Sequence, residues 1–368
     1  MSKLCVVVPE YRADTPTHFG YFIPFFDVIR QDFDLSIIAE RGQNSFSHIN
    51  PQYVLSIQRF HFFPLRAIEI FFLLFFIRLR GTKDFYVHYS FLAAFVASFI
   101  VRICGGRVFY WNCGMPWQYT RSRIRSFFER LVYRSITYFV TGTEGLAREY
   151  AAYYKIPIER IKVMPNWIDI EKIKNQKSNL KVSELRNNLR IGENQKVALF
   201  VHRLSKRKGA HYLPEIIRGF KDENVVFLIA GDGPERESLT LQVSSLKLEN
   251  NVRFLGNIPN NQLPNYYSLA DVFLMPSEEE GFPHVLLEAM ASCVPFVAFD
   301  VGGVKEIAGP TLGRFVVSVG DVPRLSSEMR KILTAPQAEL QTVMDAEAER
   351  VRIFDLPLVK QRFIELFT

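Results

Sequence analysis

The stretch Asp271–Asp300, DVFLMPSEEEGFPHVLLEAMASCVPFVAFD, holds one complete strand–loop–helix–strand unit. Its two ends, DVFLMPS and PFVAFD, are short apolar runs with the composition of buried parallel strands. The segment between them reads as a helix from Pro283 through Met290, because the fixed φ of Pro283 suits a first helical position. Glu278, Glu279 and Glu280 crowd the loop, and Glu288 interrupts the apolar helix. Taken alone, the pattern is also that of an acidic loop and an amphipathic helix with one solvated glutamate, so the flanking sequence has to decide.

The flanks repeat the unit. KVALFVHRL (196–204), NVVFLIAGDG (224–233) and NVRFLGNI (251–258) are short apolar runs, each followed by a loop and a helical pattern. The first half does the same with LCVVVPE (4–10), FDLSIIAE (33–40), DFYVHYS (84–90), GRVFYWN (106–112) and ITYFVTG (136–142). Such alternation predicts an α/β protein of two doubly wound domains with parallel sheets, with ligands outside the carboxyl ends of the strands and in a cleft between the domains. A chain of 368 residues is also too long for one growing core. The polar run KIKNQKSNLKVSE (172–184) places the boundary near 175, giving domains 1–175 and 176–345, with a last helix in 346–368.

Net charge is +7 and unevenly divided: residues 1–170 carry 20 Lys and Arg against 13 Asp and Glu, whereas the remainder is balanced at 25 against 25. The excess points to a polyanionic partner for the first half. The basic residues are interleaved with Phe, Leu and Ile and no nucleic-acid module is present, so an anionic membrane surface is expected rather than nucleic acid. IEIFFLLFFIRLR (68–80), flanked by Arg66, Arg78 and Arg80, is too short to span a bilayer. It reads either as a buried helix or as one dipping into the membrane interface. RSRIRSFFERLVYR (121–134) sets an apolar stripe, Ile124, Phe127, Phe128 and Leu131, among Arg121, Arg123, Arg125, Arg130 and Arg134. It fits a membrane surface or a core-facing helix with a cationic face. Cys5, Cys104, Cys113 and Cys293 lack metal-type spacing, and the start, MSKLCVVVPEY, is unlike a signal peptide. A cytoplasmic location, peripheral on the inner face of the cell membrane, is therefore expected.

Three pieces at strand ends carry the chemistry. Arg203 follows the run 197–201, with Lys206, Arg207 and Lys208 close behind, so cations at a strand's carboxyl end can neutralise a phosphate. Gly231 and Gly233 suit a tight turn, a weak signal by itself. The free N–H groups of His284, Val285 and Leu286 at a helix start form an anion site. Glu280 and Glu288 can each accept paired hydrogen bonds from vicinal hydroxyls. The pieces together describe a site for a sugar on a diphosphate, with the positive charge supplied by protein and no metal required; Glu278 and Glu279 read as solvated loop charges.

These residues resemble the retaining glycosyltransferases of GT-B fold, the large family of bacterial glycan, lipopolysaccharide and mannoside transferases. Its E-x7-E motif is similar to EGFPHVLLE from Glu280 to Glu288. HRLSKRKG (202–209), GDGP (231–234), LGNIP (255–259), VGGVKE (301–306), MPNWID (164–169) and HFGYF (18–22) are similar to its other conserved pieces. The resemblance implies two Rossmann-like domains facing across a cleft and transfer of a hexose from a UDP- or GDP-linked sugar to a saccharide or lipid-linked acceptor in cell-surface glycan synthesis. It further implies no cofactor, no metal and a front-face mechanism. It implies that Arg203 and Lys208 bind the diphosphate and that Glu280 meets the donor sugar and reacting carbon. Gly281, Phe282, Pro283, His284, Val285 and Leu286 would line the donor site, Glu288 would hold the ribose, Gly256 and Asn257 would face the base, and Gly20 would admit the donor. Asn112 stands where the family often has a histidine near the sugar; His202, Cys293 and Trp167 replace family glycines. A nucleotide-sugar epimerase acting on the donor alone is the alternative, and a non-catalytic nucleotide-sugar binder a third reading.

Overall fold

The computed structural model describes residues 1–11, 18–42, 54–60, 62–120, 122–176 and 182–368; Arg121 and residues 177–181 of the polar run thus lie outside the described residues. Along the first half run β1 (Ser2–Val8), α1 (Phe22–Ile29), β2 (Phe33–Ala39), β3 (Val54–Ile57), α2 (Phe63–Leu79), β4 (Asp84–His88), α3 (Phe91–Cys104), β5 (Arg107–Trp111), α4 (Arg123–Ser135), β6 (Tyr138–Thr141), α5 (Glu144–Tyr154) and β7 (Ile161–Val163). The second half holds α6 (Ile170–Gln176), α7 (Val182–Asn188), β8 (Lys196–Val201), α8 (Leu213–Arg218), β9 (Val225–Ala230), α9 (Arg236–Ser245), β10 (Val252–Gly256), α10 (Leu263–Tyr267), β11 (Val272–Met275) and α11 (His284–Ala291). It continues through β12 (Phe296–Phe299), α12 (Val304–Leu312), β13 (Val316–Val317), α13 (Val322–Thr334) and α14 (Gln337–Val351), and the chain closes with α15 (Leu356–Glu365).

Two parallel sheets result, ordered β3-β2-β1-β4-β5-β6-β7 and β10-β9-β8-β11-β12-β13. All the continuous apolar runs but the one that forms edge strand β10 become inner strands, because parallel strands covered on both faces need apolar side chains at every position. Leu4, Cys5, Val7 and Val8 of β1 and Val197 and Leu199 of β8 are fully buried. In each sheet the strand order reverses once, between β1 and β4 and between β8 and β11. At such a switch point the two adjacent loops leave in opposite directions and open a crevice.

By its contacts the chain divides into unit 1, Met1–Pro165 with Pro357–Thr368, and unit 2, Asn166–Leu356. The division falls earlier than residue 175. Ile168 exchanges backbone hydrogen bonds with Phe354 and Leu356, and the Asn166 side chain donates to the Phe282 carbonyl, so both belong with unit 2. It resumes at 357 rather than 346, because α14 packs on α11 and α12. In unit 1, Phe363 packs edge-on to Phe25 and Tyr86, and Phe367 to Phe33 and Phe109. Arg107 of β5 donates to the Phe367 carbonyl at 2.6 Å.

Side-chain caps start most of the long helices: Ser90 caps α3, Ser122 α4, Thr143 α5 and Asp321 α13. The start of α11, like those of α2 and α14, has no such cap. Its cap position is Pro283, and among the described residues no side chain caps it.

Candidate active site

Unit 2 brings His202 and Lys208, on the loop after β8, against Glu280, on the loop after β11, at the sheet's switch point. Two glycines make the approach possible. Gly209 has φ 72°, and a Cβ there would stand 1.8 Å from the Pro276 carbonyl oxygen; Gly302 has φ 53°, and its Cβ would stand 1.8 Å from the Glu280 carbonyl oxygen. Neither position tolerates a side chain, so the loops after β8, β11 and β12 are locked backbone to backbone. Gly303 N–H donates to the Gly281 carbonyl at 2.9 Å and completes the lock.

Glu280 is only 6% exposed. Its Oε1 lies 2.8 Å from Lys208 Nζ and 2.9 Å from His202 Nε2. The imidazole's other nitrogen, Nδ1, accepts the Arg203 backbone N–H at 3.0 Å. The neutral ring therefore carries its proton on Nε2 and donates it to Glu280. Burial pushes the Glu280 carboxyl up, but the Lys208 ammonium and His202 outweigh it and hold the group well below the usual carboxylate range. Burial is also the largest influence on His202; with the Lys208 charge it pulls the imidazole down, against Glu280, and keeps it neutral.

The neighbouring carboxylates are not solvated loop charges, contrary to the sequence reading. Glu278 accepts the Tyr212 hydroxyl at 2.7 Å, and Glu279 lies 2.6 Å from the Arg207 guanidinium while its carbonyl accepts Lys208 Nζ at 3.0 Å. Burial and the adjacent Glu280 charge push the Glu279 carboxyl up to about 7, even with Arg207 beside it. The loop is built from side-chain partners, each fixing one glutamate.

Helix α11 begins at His284, one residue later than the sequence predicts, with Pro283 as its cap at φ −73° and ψ 117°. Its first N–H groups, those of His284, Val285 and Leu286, have no intrahelical acceptor and carry the positive end of the helix dipole. Glu288, 7% exposed, accepts the Tyr267 hydroxyl at 2.8 Å, and that hydroxyl also lies 3.2 Å from the Val285 carbonyl. Phe282 is buried edge-on to Phe354, and its carbonyl accepts from Asn166 at 2.8 Å. Arg203 is exposed at the mouth of the sheet. Gly256 ends β10 at φ 68°, its carbonyl accepting Gly231 N–H at 2.7 Å, and Asn257 beside it is exposed. Cys293 takes φ 54°, which explains the resemblance to a glycine position there.

Gly20 and Asn112 belong to unit 1. Gly20 lies in the short 3-10 turn His18–Tyr21. Asn112 is buried, its amide donating to the Tyr133 hydroxyl at 3.3 Å and its Oδ1 accepting Gly114 N–H at 2.9 Å. Sequence reasoning treated His202 only as a departure from a family glycine and passed over Tyr267; the first sits one residue beyond a strand end, which is the one signal that could have marked it. Among the described residues, no group of three His, Cys, Asp or Glu is placed to hold a metal ion.

Residues 181–351, which carry this cluster, match the family described as Glycosyl transferases group 1. That segment is a group 1 glycosyl transferase region. Over 172 residues, 46% of this chain and 42% of the relative, it is 30% identical to the 2-deoxystreptamine N-acetyl-D-glucosaminyltransferase of Niallia circulans. Over 211 residues, 56% and 54% of the two chains, the chain is 28% identical to the 2-deoxystreptamine glucosyltransferase of Streptomyces kanamyceticus. The chain thus spans about half the length of these curated relatives. Among solved structures, Anabaena HepE in complex with UDP superimposes with a TM-score of 0.80 at 18% identity over 100% of this chain and 99% of that one. A Rickettsia africae glycosyltransferase gives 0.82 at 15% identity, over 100% and 98%. The fold is GT-B, two parallel-sheet Rossmann-like domains, and the group 1 segment forms most of the second.

Proposed function

We propose that the protein is a retaining glycosyltransferase that moves a hexose from a UDP- or GDP-linked sugar to a saccharide or lipid-linked acceptor in cell-surface glycan synthesis. The observation that carries this reading is the cluster of Lys208 and His202 on buried Glu280 at the switch point of unit 2, with Glu280 in the loop that leads into the uncapped start of α11. The relatives are named as transferases and HepE is seen with UDP, which supports a transferase and does not favour the epimerase alternative.

In this mechanism the charge that develops on the departing diphosphate is met by Lys208, Arg203 and the N–H groups of Val285 and Leu286, groups already in place before reaction. Glu280 faces the sugar and steadies positive charge at the reacting carbon; His202, donating from Nε2, fixes the orientation of its carboxylate. Glu288 holds the ribose, Gly256 and Asn257 border the base, and Gly20 and Asn112 are assigned on the resemblance. The acceptor attacks on the face the diphosphate leaves, the acceptor oxygen forms the new bond to the anomeric carbon as the phosphate bond breaks, and the departing phosphate takes the acceptor's proton.

The membrane half of the proposal rests on unit 1. Helix α2 is not a buried helix: Phe63, Ile68, Phe72, Phe76 and Leu79 are exposed on it. It packs on α3, which exposes Phe95, Phe99 and Ile103, and α3 packs on α4, which exposes Ile124, Phe127, Phe128 and Leu131 among its arginines. An apolar face rimmed by Arg suits an anionic bilayer surface. Among the described residues no helix is long and apolar enough to cross a membrane; the contact proposed is a peripheral one.

Nucleoside diphosphate release from UDP- and GDP-sugars, with NMR of the product anomer, tests the catalytic half. Lys208→Ala should abolish release while the far-UV spectrum is unchanged; transfer at the wild-type rate would remove Lys208 from the site, and an inverted product would remove retention.

A further inference from the structure

Glu288 has a partner that the proposed chemistry leaves unused. Tyr267, the last residue of α10, is 1% exposed, and its hydroxyl lies 2.8 Å from Glu288 Oε2 and 3.2 Å from the Val285 carbonyl. A hydroxyl has one proton to give, and the nearer, charged oxygen takes it. The Tyr267 ring stands 5.8 Å from that of Phe273 on β11, and α10 packs on α11. Held against the sheet on one side and α11 on the other, the ring presents its hydroxyl from a fixed point.

The neighbours of Glu288 along α11, Leu286, Leu287, Ala289 and Met290, are fully buried and apolar, so none of them can hold a carboxylate. A glutamate left to rotate must be ordered by its ligand, which weakens binding. The Tyr267 hydrogen bond occupies one of roughly four acceptor positions on the carboxylate and orders the group before a ligand arrives. The same hydroxyl stands beside Val285, in the first turn of α11, whose N–H groups are assigned to the diphosphate. One residue thus sets the ribose contact in register with the phosphate contact. We propose, on the reading that Glu288 holds the ribose, that Tyr267 is a positioning residue that makes the site select ribonucleotides. It aims Glu288 at the two vicinal ribose hydroxyls, and loss of its own hydroxyl relaxes the preference for a ribose that carries them.

Calorimetry with UDP and with GDP, each beside its 2′,3′-dideoxy analogue, tests the role. The wild-type chain should bind the better of the two nucleotides about tenfold more tightly than its analogue. Tyr267→Phe keeps the ring against Phe273 and removes only the hydroxyl. It should bind the parent nucleotide about fivefold more weakly and the analogue as the wild type does, so the ribose preference falls to about twofold. Equal weakening of parent and analogue would make Tyr267 a purely structural residue and overturn the proposal, and so would an undiminished preference. Glu288→Gln distinguishes this failure from that of the underlying reading. Loss of the preference in Glu288→Gln, with full preference in Tyr267→Phe, keeps Glu288 on the ribose and rejects the positioning role. A wild type that binds neither nucleotide, or does not tell parent from analogue, takes Glu288 off the ribose and rejects both. In the double variant, Tyr267→Phe should add no further weakening to Glu288→Gln, because the hydroxyl acts through that carboxylate.

Discussion

The two sheets reverse order in the same way, yet their switch points are built from different matter. In unit 2 the loops after β8 and β11 meet through charged groups, with Lys208 on Glu280 and Arg207 on Glu279, and neutral His202 donating to Glu280. In unit 1 the ends of β4 and β5 and the start of α1 meet, among the described residues, through rings. His88, 2% exposed, stacks on Trp111 with centres 4.0 Å apart and edge-on to Phe22 at 4.5 Å, and Tyr89 takes φ 59° beside it. Topology therefore provides a switch point in each sheet, and the residues one to seven positions past the strand ends make that of unit 2 a charged one.

The ionic crevice of unit 2 should not survive the loss of its charge. Glu280→Gln keeps the volume and removes the charge, and transfer should fall about 10²–10³-fold in a steady-state assay while the thermal melt still shows a folded chain. A variant within threefold of wild type would reduce the cluster to scaffolding. Next in size, Gly302→Ala forces a Cβ into the Glu280 carbonyl, and loss of stability on the order of 3 kcal/mol is expected in denaturant melts. A melt like the wild type would mean the loops are not locked.

Two smaller effects sharpen the contrast. Phe127→Asp, on the outward face of unit 1, should weaken binding to anionic vesicles roughly tenfold and leave nucleotide-sugar affinity unchanged, measured by flotation and calorimetry. A loss of donor affinity instead would contradict the separation of roles. The last concerns pH. Glu279, raised from the ordinary 4.5 to about 7, is largely neutral below 7 and adds a negative charge beside the phosphate cations above it. Affinity for an uncleaved nucleotide-diphosphate sugar should thus fall a few-fold, roughly two to five, from pH 6 to 8, and Glu279→Gln should flatten the profile. A rise over that interval would reverse the sign and the assignment.

Much of this was legible before any coordinates. All ten quoted apolar runs became strands, nine of them inner and β10 at an edge, because inner parallel strands announce themselves by unbroken β-branched and aromatic sequence. The strands that were not foreseen, β3, β7 and β13, are sheet-edge strands of four residues or fewer, too short and too mixed to stand out. In the site, Glu280, Lys208 and Glu288 could be singled out by type and spacing. Their partners could not, since His202 and Glu280 lie 78 residues apart and Tyr267 and Glu288 lie 21 apart. Glu279 was misread for the same reason: its burial depends on loops the local sequence does not name. The outward Phe of α2 were ambiguous because an apolar helix has no pattern to say which side is covered.

The two Phe rings that fill unit 1, Phe363 and Phe367, come from its last segment, after all of Asn166–Leu356. A ribosome therefore delivers every strand of the first sheet early and the rings that seal it last, while unit 2, unbroken in sequence, can complete itself on the way out. The order of birth and the order of completion are reversed: the first-made half waits, with an open seam beside β1, β2, β4 and β5, for the second to be finished.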